Sequence, residues 1–119
     1  MKIYIAHSKD FDFKKELYEP IKNSSLSKEH LFIFPHEDKD NFVNSKEIIK
    51  DDCDLIIAEV SYLSTGLGIE LGWANVYNIP VLCLSKKGSK VSKSLQVVTN
   101  NFIEYSNEED LIENLKSKL

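Results

Sequence analysis

Three of the four glycines of this 119-residue chain fall within seven residues, in the run Ser61-Tyr62-Leu63-Ser64-Thr65-Gly66-Leu67-Gly68-Ile69-Glu70-Leu71-Gly72-Trp73-Ala74. A loop of this kind leading into a helix offers a phosphate free N–H groups and the positive end of a helix dipole, and the Ser64 and Thr65 hydroxyls add donors. The same residues suit a plainer role, with Ser64 or Thr65 capping the helix and the glycines letting it pack tightly on a sheet. Glu70 is the sharper anomaly. At helical spacing it shares a face with Leu67, Leu71, Trp73, Ala74 and Tyr77 instead of lying on a polar stripe. Such a carboxylate is either a capping or ion-paired glutamate of the first turns, or a partly desolvated group that attacks an electrophilic carbon, as in covalent glycosyl transfer.

The other chemistry-bearing residues read two ways as well. His7 and His36 each end an apolar run, so both can face one cleft and one can supply a proton, or both can be hydrogen-bonded loop histidines. Lys86, Lys87, Lys90 and Lys93, with Ser89, Ser92 and Ser94, form a basic loop that contacts phosphate or is simply solvated. No Cys/His cluster has metal-ligand spacing, and neither metal nor cofactor is expected. Cys53 and Cys83 sit in apolar runs without a CxxC pairing, as buried thiols of a reducing compartment do.

The elements that position these residues follow from hydrophobic periodicity. Short apolar runs at Lys2 to Ala6, Leu31 to Phe34, Leu55 to Glu59, Val81 to Leu84 and Phe102 to Tyr105 read as five strands alternating with amphipathic helices. Phe13, Leu17 and Ile21 predict a first helix over about Phe11 to Lys22, its end loosened by Pro20. A short helix follows over Ser45 to Asp52, where Asn44 with Glu47 reads as a cap, and a third runs from near Gly66 to Tyr77. The last opens on Ser106-Asn107-Glu108-Glu109, a capping-box pattern, and carries Leu111, Ile112, Leu115 and Leu119. Residues 86 to 101 admit one or two helical turns around Lys93 to Val98. Alternating strands and helices with right-handed crossovers define an α/β fold, a doubly wound five-stranded parallel sheet in the order 2-1-3-4-5, over residues 1–119 as one domain. Ligands of such sheets bind beyond the carboxyl ends of the strands at the switch point, which directs attention to His7 to Asp10, Pro35 to Asp38 and Ser61 to Glu70.

Composition excludes several classes. With 42% hydrophobic and 29% charged residues the chain is neither fibrous nor disordered, and a formal charge of -4 disfavours a nucleic-acid partner. Small phosphorylated ligands remain compatible, because local donors overrule a weak net field. No signal-like stretch opens the sequence and no window approaches the roughly eighteen apolar residues of a membrane span, so a cytoplasmic protein is expected. Trp73 and Tyr77, one turn apart on a helix that a small domain can hardly cover, with Tyr62 and Leu63 in a loop, point to a homodimer.

The segment Asp54-Leu55-Ile56-Ile57-Ala58-Glu59-Val60-Ser61, then Ser64, Gly66, Gly68, Glu70-Leu71-Gly72, Ala74 and Ile79-Pro80-Val81-Leu82-Cys83-Leu84, resembles the nucleoside 2-deoxyribosyltransferase superfamily, above all its small 2'-deoxynucleoside 5'-monophosphate N-glycosidases. The resemblance is dense over residues 54 to 84 and stays in register over Ile3 to Ser8. It implies that Glu70 is the nucleophile taking the sugar C1', that Tyr4 lies beside the sugar and this carboxylate, and that Ser8 and Ser64 contact the ligand, Ser64 at the 5'-phosphate. It also implies a homodimer in which Ser92 or Ser94 reaches the phosphate in the partner subunit. The chain departs from the pattern at His7, where the glycosidases have glycine, at Asp10, where they have arginine, and at Lys46, where the family's second carboxylate falls. That leaves the general acid unassigned.

Two other readings follow. The opening Ile3-Tyr4-Ile5-Ala6-His7-Ser8-Lys9-Asp10, with Phe13 and Leu17, also resembles TIR domains, some of which cleave NAD through a glutamate. Lys46 in place of the aspartate suits a nucleotide-sensing module without turnover, against which stands the retention of Glu70.

Overall fold

The computed structural model describes residues 1–38 and 42–119. In chain order the elements are β1 (Lys2–His7), a π-helical stretch (Lys14–Tyr18) continuing into α1 (Glu19–Lys22), α2 (Leu26–Glu29), β2 (Leu31–Ile33), α3 (Ser45–Asp51) and β3 (Leu55–Glu59). There follow α4 (Thr65–Val76), β4 (Val81–Lys86), a 3-10 turn (Lys93–Val97), β5 (Phe102–Tyr105) and α5 (Glu108–Lys118). The strands are parallel and ordered β2-β1-β3-β4-β5, the doubly wound arrangement expected from the sequence.

Strand periodicity sorts the side chains into two cores. Ile3 and Ile5 of β1, with Ile57, Leu82, Leu84 and Ile103, pack against Leu17, Tyr18 and Ile21 and against Leu111 and Leu115 of α5. Tyr4 and Ala6, with Ile56, Ala58, Val81 and Cys83, face Ile49 of α3 and Leu67, Leu71 and Ala74 of α4. Helices cover both faces, so β1, β3 and β4 are buried along nearly their whole length, while edge strand β5 alternates exposed and buried residues.

Local departures have local causes. The first helix is not one α-helix from Phe11: Pro20 has no N–H to give Glu16 and its ring displaces that carbonyl, and the preceding turns widen so that the Glu19 N–H bonds Lys14 O. The one-turn α2 is too short to show a period. The cap of α5 sits one residue later than the Ser106 pattern suggests, because Asn107 Oδ1 accepts from the Asp110 N–H at 2.9 Å while Asp110 Oδ2 accepts from the Ser106 N–H at 2.8 Å. Gly88, at φ 86°, makes the turn after β4, and Asn78, at φ 58°, ends the chain's exit from α4. No described helix is long and apolar enough to cross a membrane.

Candidate active site

The switch point lies between β1 and β3, and α4 leaves β3 there through the loop 60–64. Ser64 caps α4, its Oγ accepting from the Leu67 N–H at 3.4 Å. Glu70 falls in the second turn, past the orphan N–H groups, so it caps nothing; no ion pair reaches it among the described residues. Its carboxylate instead accepts a hydrogen bond from the Tyr4 hydroxyl. Both faces of this contact are dictated by register: residues of even number on β1 point toward α4, and Tyr4 is one of them.

Burial raises the Glu70 pKa above the ordinary carboxylate value, and hydrogen bonds from Tyr4 and Ser45 pull it back down. Burial and the adjacent carboxylate push the Tyr4 pKa strongly up, so the phenol keeps its proton and is the donor in the hydrogen bond to Glu70. The pair opens on a cavity of about 470 Å³ lined also by His7, Ser8, Pro35, His36, Ser45, Ser64, Gly66 and Trp73. Ser8 is nearly inaccessible, and its Oγ accepts from the Asp10 N–H at 3.1 Å, which leaves its proton to be donated.

Sequence expectations for the remaining residues divide. Tyr4, His7, Ser8, His36, Ser64, Gly66 and Glu70 share one cavity, whereas Gly68 and Ser94 line a second of about 460 Å³ on the other side of Ser64 and Leu67. The glycines do not serve close packing on the sheet: a Cβ at Gly68 or Gly72 would meet nothing within 4 Å, and one at Gly66 only Ser64 Oγ at 4.0 Å.

His7 is a satisfied histidine and a poor proton donor. Odd-numbered on β1, it points to the α1 side, with Nε2 2.5 Å from Tyr18 Oη and Nδ1 2.8 Å from Ser8 O. Its ring centroid lies 4.4 Å from that of Phe13 at an interplanar angle of 30°, and desolvation lowers its pKa to about 4. The Tyr18 hydroxyl also accepts from the His36 N–H at 3.2 Å, tying the loops after β1 and β2 together. Burial and Lys9 lower the His36 pKa too, so neither imidazole carries a proton to give at neutral pH.

Lys86 is not an open phosphate ligand. Its Nζ donates to Glu16 at 2.6 Å and Tyr62 Oη at 2.8 Å and lies over the rings of Phe11 and Tyr62, latching the loops after β1 and β3. Beneath this latch, fully buried Glu59 accepts from the Ser61 N–H at 2.6 Å and from the Tyr105 hydroxyl. Lys46 is exposed and lies outside the cavity; the residue of α3 that lines it is Ser45. Ser45 lies near the departing Lys46 in sequence with no role assigned to it there; its position one turn before buried Ile49 places it on the sheet-facing side of α3.

What fold and site define is a doubly wound α/β domain with a tyrosine-tethered carboxylate at the switch point. No protein-family profile matches the chain. Over 49 residues, 41% of this chain and 34% of the relative's length, it is 41% identical to the "Putative 2'-deoxynucleoside 5'-phosphate N-hydrolase 1" of Syntrophotalea carbinolica. Its fold is similar over 100% of both chains to that of the CMP N-glycosidase BcmB of Clostridium botulinum, with TM-score 0.72 and 23% identity. A conserved protein of Enterococcus faecalis V583 is similar over 100% of this chain and 99% of its own, with TM-score 0.64 and 23% identity. The chain thus spans about a third of the length of the curated relative it matches, and it shares its fold with the N-glycosidase structure over its whole length. Fold alone would not specify an activity: 98% of the chain also matches 17% of the lysine decarboxylase LdcF of Francisella novicida, with TM-score 0.53 and 14% identity.

Proposed function

We propose that this chain is an enzyme cleaving the N-glycosidic bond of a nucleoside 5'-monophosphate, with Glu70 as nucleophile. The observation that carries the reading is the Glu70 carboxylate, paired with no cation among the described residues and held by Tyr4 at the edge of a cavity large enough for a nucleotide. The relatives' names, an N-hydrolase and a CMP N-glycosidase, agree with it.

In this mechanism Tyr4 occupies one carboxylate oxygen and leaves the other to attack C1'. The C1'–N bond breaks, its electron pair passes to the base nitrogen, and the base takes a proton from water. A water molecule then adds to C1', releasing the sugar phosphate and its own proton and restoring the Glu70 carboxylate. Ser8, Ser64 and the N–H groups at Thr65 and Gly66 hold the phosphate, and His36 walls the base side. A second base in place of water would make the reaction a transfer. The chain acts as one cytoplasmic domain and as a homodimer, in which Ser94 of one protomer completes the phosphate site of the other. No metal enters the scheme.

Incubation with a panel of nucleotides, nucleosides and NAD, with chromatographic resolution of free base, tests the reading. Base release is expected from at least one 5'-monophosphate, with Glu70→Gln lowering the rate by a factor of about 10³ or more while ligand affinity changes little. A 2-fluoro-2-deoxy substrate should leave an adduct on the Glu70 peptide. Release from NAD alone would favour the TIR-like reading; binding without release from any compound, or an active Glu70→Gln protein, would favour the sensor.

A further inference from the structure

Glu59 is a fully buried carboxylate that the mechanism does not use. Odd-numbered on β3, it shares the sheet face of Ile57 with Tyr105 and α5, the face opposite Tyr4, and no cation pairs with it among the described residues. A carboxylate so placed needs donors to replace its water. Each oxygen has one: Oε1 accepts from the Ser61 N–H at 2.6 Å, and Oε2 accepts from the Tyr105 hydroxyl of β5.

The path of the chain beyond β3 depends on these bonds. The Val60 N–H still donates to Leu84 O at 2.8 Å, but from Ser61 to Ser64 no N–H has a backbone acceptor among the described residues. Side chains fasten the segment instead: Glu59 at the Ser61 N–H, Ser61 Oγ at the Lys86 N–H at 2.7 Å, and the Tyr62 hydroxyl at Lys86 Nζ. Three residues past Ser61, Ser64 caps α4 and borders the cavity, while α4 is seated separately by buried Leu67, Leu71 and Ala74. Displacing Ser61 therefore shifts Ser64 without unseating Glu70.

We propose that Glu59 is a positioning residue for the start of α4, its carboxylate bracing the Ser61 N–H against Tyr105 so that Ser64 stays both on the helix cap and at the cavity edge. The consequence for phosphate rests on the glycosidase reading; the brace itself does not. Glu59 faces away from the cavity and acts only through the chain. A carboxylate suits the place because both oxygens accept, one from a backbone donor and one from a phenol. Glutamine fits as well, its oxygen taking the Ser61 N–H and its amide donating to a Tyr105 hydroxyl turned to accept.

The test removes the brace without stranding a buried partner. Glu59→Leu is combined with Tyr105→Phe, since deleting both sides of a buried hydrogen bond is far milder than deleting one. Two readouts are taken: amide hydrogen exchange along α4 by NMR, and calorimetric titration with the common nucleoside 5'-monophosphates and their nucleosides, in a Glu70→Gln background where nothing turns over. In the double variant the Leu67 amide, which donates to Ser64 Oγ, should exchange about tenfold faster while Leu71 and Ala74 hold. The tightest 5'-monophosphate should weaken about tenfold and its nucleoside less than about twofold, and Glu59→Gln should restore both readouts. Tyr105→Phe alone, which removes only the β5 end of the brace, should show the same pattern more weakly and carries the test if the double variant does not fold. If Leu67 exchange quickens but the Glu70→Gln protein with its brace intact binds no 5'-monophosphate better than its nucleoside, the nucleotide reading falls and the brace stands. If that protein does discriminate and neither exchange nor affinity changes when the brace is removed, the brace is overturned and the nucleotide reading survives.

Discussion

At the scale of single residues, the site is an arrangement of hydrogen bonds around one charge. Burial raises the Glu70 pKa and hydrogen bonding from Tyr4 opposes that rise, so the carboxylate is held in one orientation in a partly desolvated setting. Ser64 has two duties, since the Oγ that caps α4 also borders the cavity. They separate experimentally. Removing the cap costs fold stability about 1 kcal/mol, whereas removing a phosphate donor costs affinity only for phosphorylated ligands. Ser64→Ala should weaken a 5'-monophosphate by roughly 1 to 3 kcal/mol more than the matching nucleoside in calorimetric titrations. Equal weakening of both would leave Ser64 a cap alone.

At the scale of elements, the loops around the cavity are held by buried polar contacts. His7, Tyr18 and the His36 N–H join the end of β1 to the loop after β2, and Lys86 joins Phe11 and Glu16 to Tyr62. The histidine makes the first of these joints sensitive to acid. Below pH 6.5 the unfolded chain takes up a proton on His7, while the folded one does not until about pH 4. Stability is therefore lost as pH falls across that window, by up to about 3 kcal/mol. Glu70, whose folded pKa is raised, works in the opposite direction and favours the folded state as pH falls. Urea denaturation of Glu70→Gln between pH 7 and pH 4 removes that offset and should show the His7 loss more steeply than wild type. A denaturation midpoint that rises on acidification in Glu70→Gln would contradict this account.

At the scale of the whole molecule, the face around α4 is the one proposed to meet a second copy of the chain. Trp73 and Tyr77 prove half-buried, packed against the core beneath α4; among the apolar residues turned to solvent are Leu63, Val76 and Val97, at 76%, 72% and 76% exposure, and Ile69. Leu63 and Val97 border the cavity that holds Gly68 and Ser94, where no Cβ fills the space over Gly68 and Gly72. A symmetric dimer across α4 would cover this face and carry Ser94 toward a neighbouring phosphate. Light scattering at micromolar concentration should return twice the 13.7 kDa chain mass, and Leu63→Glu with Val97→Glu should return the monomer. A monomeric wild type would refute the interface.

What the sequence by itself determined was whatever depends on local pattern. The run Leu55 to Ala58 and its counterparts in the central strands are apolar because both sheet faces are covered there, so strand number, order and the switch-point location were legible, as was Glu70 as a carboxylate on an apolar helix face. Tertiary structure alone decided which polar groups meet. That His7 turns away from Glu70 while Tyr4 turns toward it follows from the alternation of β1, but that Tyr18 waits on the far side depends on the π-helical widening before Pro20. That Ser45 and not Lys46 faces Glu70 depends on how Ile49 seats α3 on the sheet. Strand and helix periods are properties of consecutive residues, whereas the pairing of Glu70 with Tyr4, 66 positions apart, exists only once the sheet has brought β1 beside β3.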